Sequence, residues 1–178
     1  MPANTLAELQ RDMAHLRFVK QQIKEIETAR AKRLEQASEG GRDAMVRLLA
    51  RVVGIGIETA DMLVQEVFSR KLRDRKAVAR YAGLTGAPDE SGQKRRERGL
   101  AKAGNARVRH AMIELAWGHL LHQKDSALAE WYERRTVDAR GGTRKTMIVA
   151  LARKLLIALW RLVTTGEAPA GLLLRPAA

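Results

Sequence analysis

AMVRLLARVVGIGIETADMLVQEVF, residues 44–68, decides the fold. Met45, Leu48, Leu49 and Val52 recur at helical spacing before the Gly54-Ile55-Gly56 break, and Ala60, Leu63, Val64 and Val67 recur after it. Two apolar-striped helices joined by a glycine turn read as a helix-hairpin-helix. Glycine permits the positive φ and close backbone approach of such a turn. The N–H groups that open the second helix then face an anion, favoured by the helix dipole. A DNA phosphate is the guest this geometry suits, and Gly54, Ile55 and Gly56 are its candidate contacts, reading backbone rather than sequence. A plain tight turn between packed helices is the alternative.

Outward from that pair, the spacing predicts helices everywhere. Leu6, Leu9, Met13, Leu16, Ile23 and Leu34 step by threes and fours along one long helix over 5–37. Lys20, Glu27 and Arg30 interrupt its seam, so it is a usable coiled-coil face and not a strong zipper. Self-association through 5–37, or packing back on the main domain, would cover it. Ser38 to Arg42, with Gly40-Gly41, is a break. Helices follow at 44–53, 58–68, near 75–82, 105–122, 126–136 and about 143–164, with a polar loop over 83–103. Strand-like alternation is absent. The expected class is all-α: a coiled-coil-like helix over 1–40, a helical domain over 43–165, and a disordered tail over 166–178.

The chain has 178 residues and a formal charge of +13. Excess Lys and Arg point to nucleic acid, because they release condensed counterions from a phosphate backbone. Seven aromatics are too few for a base-stacking platform. Trp117, Trp131, Tyr132 and Trp160 sit at helical positions and read as core. Cysteine is absent, which removes disulfides and thiolate metal sites. His119 and His122 lie three apart on a helix without carboxylates at ligand spacing, so no metal site is expected. The apolar stretch 147–163 is too short and too charged to span a bilayer. A soluble, cytoplasmic, nucleoid-associated protein without membrane contact is the expectation.

The charge is concentrated in 81–117, YAGLTGAPDESGQKRRERGLAKAGNARVRHAMIELAW. Ser91 stands beside a glycine, and Lys94, Arg95, Arg96, Arg98, Lys102, Arg107 and Arg109 follow, opposed by Glu97. Asn105 is placed to cap the next helix. Arg107 and Arg109 then lie in a first turn whose dipole disfavours cations by about 0.3–1 kcal/mol each. A phosphate bound there would turn that penalty into attraction. Ser-Gly is also a common turn pair, and no base is visible beside Ser91. On chemistry alone the partner is better supported than a reaction upon it.

Taken in order, Val53-Gly54-Ile55-Gly56 with Thr59-Ala60, Tyr81-Ala82-Gly83-Leu84-Thr85, Ser91-Gly92, Lys102 to Arg109, and Ala152-Arg153-Lys154-Leu155-Leu156 resemble the C-terminal domain of insertion-sequence 110/116/902 transposases, relatives of Piv-type DNA invertases. The match covers about 44–165, and the upstream helix resembles the family's connector. The resemblance implies a recombinase that cuts and rejoins DNA, with Ser91 as the nucleophile that becomes linked to the phosphodiester. It further implies dimers and tetramers, a structured guide RNA, and an N-terminal RuvC-like domain whose acidic residues hold Mg²⁺. That RuvC-like half is absent from these residues, so activity of the chain alone is not expected, and it would act in cis or in trans. Val53 replaces the usual proline before Gly-Ile-Gly, Pro88 falls later than the family's proline, and Ala103 stands where a basic residue is common. The rival reading is a non-catalytic helix-hairpin-helix DNA- or RNA-binding protein, a remnant or scaffold.

Overall fold

The computed structural model describes residues 3–38, 40–91, 94–100, 103–139 and 141–176, with the backbone alone for 3, 87–91, 94–99 and 141. The chain divides into two compact units, 1–40 and 41–178. The first is a single helix, α1 (Ala3–Gln36). Leu6, Leu9, Met13, Leu16 and Ile23 of its seam are all exposed, and so are Phe18, Val19 and Ile26 beside it.

The second unit is helical, as the periodicity predicts. It contains α2 (Gly41–Ala50), α3 (Ile57–Leu63), α4 (Arg75–Tyr81), α5 (Ala106–His122), α6 (Ala127–Thr136) and α7 (Gly141–Thr165). α7 is the central element, and α2, α4, α5 and α6 all pack on it. Leu151, Ala152, Leu155, Leu156 and Leu159 recur every three or four residues on α7 and are fully buried or nearly so. Val46 and Leu49 of α2, Leu63 of α3, and Val108, Met112 and Ala116 of α5 complete the core. Trp117 departs from the expectation of a core aromatic. Its neighbours Leu115 and Ala116 take the buried face of α5, and Trp117 is half exposed.

Two features were not expected. α3 continues into a π-helical turn, Val64–Phe68, closed by Ser69 N donating to Val64 O at 2.9 Å. The polar stretch expected as a loop forms an antiparallel ribbon, β1 (Gly86–Ser91) with β2 (Lys94–Leu100). Neither strand has an apolar face, so the period-two signal is missing. Their backbone register sets Asp89 against Arg96 and Glu90 against Arg95. Pro88 is accommodated because each strand of a two-stranded ribbon has one open edge.

The segment after α7 is also a correction. Expected to be disordered, it is tied down by hydrogen bonds that reach Arg175. Val53 N donates to Leu173 O at 3.1 Å, and Arg175 N to Arg51 O. Gln123, with no exposed surface, donates to Val53 O and Leu173 O and accepts from Leu173 N at 2.8 Å. Its amide has found three partners, as a buried amide must. Gly171, at φ +73°, brings the strap close to the Asp125 carbonyl.

Candidate nucleic-acid interface

The ribbon is mounted where α4 ends and α5 begins. α4 stops in a Schellman motif: Gly83, at φ +65°, donates to Arg80 O, and Leu84 N donates to Ala79 O at 3.0 Å. The buried Leu84 side chain pins the exit. The returning strand is received by Gly104, at φ +96°, followed by Asn105 N donating to Tyr81 O at 2.7 Å. A Cβ on Gly104 would stand 2.6 Å from Gly83 N and 2.7 Å from Tyr81 O. A Cβ on Gly83 would meet Ala103 O and stand 2.6 Å from Arg109 Nη1. The ribbon root is therefore a crossing of two glycines that leaves no room for a side chain.

Asn105 is the predicted cap. Its Oδ1 accepts from Arg107 N at 3.0 Å and Val108 N at 3.2 Å. Its Nδ2 donates to Glu66 Oε2 at 3.0 Å and Tyr81 Oη at 3.4 Å. Arg107 Nη1 is 3.5 Å from Glu66 Oε1, and Arg70 lies 4.8 Å over the Tyr81 ring. Glu66, carried on the π turn, supplies the negative charge that offsets Arg107 at a helix N-terminus. Arg109 has a buried Nη1 with no hydrogen-bond partner among the described residues.

The fold thus brings Asn105, Arg107 and Arg109 together at the ribbon root. Ser91 is the last residue of β1, in register with Lys94, and Arg95, Arg96 and Arg98 follow along β2. Five residue steps separate Ser91 from Gly86, about 17 Å of strand. The side chains of Ser91, Lys94, Arg95, Arg96 and Arg98, and all of Lys102, lie outside the described residues.

The glycine turn is a separate place. Ten residues of the helix starting at Gly56 separate it from Glu66, about 15 Å of rise. Gly54 has φ +95°, and a Cβ there would stand 3.3 Å from the His122 side chain. Ile55 is buried, so its side chain packs inward, whereas space beside Gly56 is open. Arg175 closes over the turn, donating from Nη1 to Ala50 O at 2.6 Å and to Ile55 O at 3.3 Å.

One charged run stands outside the interface residues expected from sequence. Arg70, Lys71, Arg73, Arg75 and Lys76 put five cations into seven residues, opposed by Asp74. Asp74 caps α4, its Oδ1 accepting from Ala77 N at 2.8 Å, and that bond holds its carboxyl below the usual range. Their density alone was a usable signal. Among the described residues no group of His, Cys, Asp and Glu could hold a metal ion. No described helix is long and apolar enough to cross a membrane.

The profile of the family described as "Transposase IS116/IS110/IS902 family" matches residues 46–133, from α2 through the ribbon into α6. A Sinorhizobium fredii protein named "Putative transposase y4rJ" is 39% identical over 174 residues. That alignment covers 93% of this chain and 44% of the relative, so the chain spans less than half its length. The glycine turn and the ribbon root lie inside the matched region, over which the chain is similar to the IS116/IS110/IS902 transposase family.

Proposed function

We propose that this chain is the serine-bearing, DNA-binding half of the transposase and that Ser91 is its nucleophile. The single observation that carries the reading is the ribbon: Ser91 ends β1 in register with Lys94, opposite a strand rich in arginine. In the reaction Ser91 Oγ forms a bond to phosphorus while one P–O bond of the strand breaks. The released sugar hydroxyl takes up a proton, and the serine proton passes to a base. Rejoining runs the same step backwards with a second DNA end. Lys94, Arg95, Arg96 and Arg98 offset charge building on the phosphoryl oxygens. Arg107, Arg109 and Lys102 hold neighbouring phosphates, and Gly54, Ile55 and Gly56 offer backbone to another.

The remaining chemistry belongs to a RuvC-like domain, in cis or in trans, whose acidic residues bind Mg²⁺. Homo-oligomers through 5–37 would align two DNAs, and a structured guide RNA is the further partner. The test supplies that domain and element DNA and compares wild type with Ser91→Ala. Loss of the covalent protein–DNA product with unchanged DNA affinity is the expected result. Equal yield of that product from both proteins would exclude Ser91 as the nucleophile.

A further inference from the structure

On the α7 face a groove of about 580 Å³ is bordered by Arg75, Lys76, Arg153, Lys154 and Arg161, with Glu167 as its only acid. It lies away from the ribbon root: Arg75 and Lys76 open α4, and the ribbon leaves from the other end of that helix. Arg153, Lys154, Ile157, Ala158 and Arg161 occupy one face of α7. Arg153 to Arg161 covers about 12 Å of helix rise. Phosphates of one strand recur about every 3.4 Å along a duplex axis, so that row spans three to four of them.

We infer that this groove is a second DNA-backbone site, taking the phosphates of duplex DNA beyond those held at the ribbon. The inference rests on the proposed function. Two observations point to a phosphate backbone. The single carboxylate is engaged with Arg161, whose Nη1 is 3.9 Å from Glu167 Oε1, which leaves four cations for a ligand. The apolar lining includes Leu128, Ile157 and Ala158, and among the described residues no aromatic, Asn or Gln lines the groove. A surface without rings or amides neither stacks bases nor pairs with adenine edges, so it holds a double helix by its charge. Trp131, next to the groove, is already covered by Lys154 at 4.7 Å and Arg135 at 5.3 Å.

The experiment measures equilibrium affinity for a duplex DNA and for a duplex RNA across salt concentrations. Four proteins are compared: wild type; Arg75→Gln with Lys76→Gln, Arg153→Gln and Lys154→Gln; Lys94→Gln with Arg95→Gln and Arg96→Gln; and the charge-keeping Arg75→Lys with Arg153→Lys. Helical content by circular dichroism checks each fold. The expected result is a salt slope on DNA lower by about three in the groove variant, at about 0.9 per lost phosphate contact. The charge-keeping variant should retain the wild-type slope. An unchanged slope in the groove variant, with a reduced one in the ribbon variant, would overturn the groove and leave the proposed function standing. No salt-dependent DNA affinity in wild type would overturn the proposed function itself. Tighter binding to duplex RNA, lost in the groove variant, would overturn the assignment to DNA.

Discussion

His119 shows what burial does to one ionisable side chain. Its Nε2 is 2.9 Å from Ser126 Oγ. That hydroxyl donates its own proton to Gln123 O at 2.8 Å and accepts from Ala129 N, so the imidazole must be the donor. Burial disfavours the charged form and pushes the pKa down to about 4 from 6.5. The unfolded chain therefore binds more protons between those values. Stability from this group is full above pH 6.5 and is lost as pH falls toward 4, by about 3 kcal/mol at the limit. Urea unfolding from pH 7 to 4 should show that decline, and His119→Gln should flatten it. An equally steep decline in the variant would assign the pH dependence elsewhere. Residue-level rules reached Asn105 because a cap is read within three positions. They could not reach Glu66, which meets Asn105 across 39 residues, nor Gln123, whose partners lie 50 and 70 residues away.

Among the elements, helices were legible from spacing, and Gly40-Gly41 marked the break after the first. The ribbon was not legible, since a strand without alternating apolar residues leaves no period-two signal to read. What positions it is steric: two glycines crossing between α4 and α5. Gly104→Ala puts a methyl carbon against three backbone atoms at 2.6 to 2.8 Å, at a φ that L residues avoid. Either the crossing opens or the helices shift, at a cost of about 2–4 kcal/mol. Thermal unfolding should register this loss, and DNA cleavage by the complete assembly should fall with it. A variant with wild-type melting and activity would show that the root is not rigid. Gly56→Ala offers the contrast, because nothing lies within 4 Å of its added carbon. It should leave stability nearly unchanged.

At the level of the molecule, α1 carries an apolar face that its own unit does not cover. A helix of about 50 Å gains little stability alone, because helices in proteins are held by packing on an apolar side. A second copy of α1 is the partner proposed above for this face, with packing on the main domain as the alternative. Leu9→Glu with Leu16→Glu and Ile23→Glu should convert oligomers to monomers in sedimentation equilibrium while the unit from Gly41 onward keeps its melting transition. A wild-type protein that stays monomeric at about 100 µM, a concentration at which contacts worth roughly 5–6 kcal/mol would register, would remove this role. The seam itself was legible, and its companion residues Phe18, Val19 and Ile26 show that apolar surface extends beyond it.

The strap from Gly171 to Arg175 has a consequence for biosynthesis. The Gly54 turn receives hydrogen bonds from residues more than a hundred positions downstream. A ribosome-bound chain can build α2 and α3 early, yet it cannot finish the turn until residue 175 has emerged. Completion of that turn thus waits until residues 171–175 have left the ribosome, later than α2 and α3 can form.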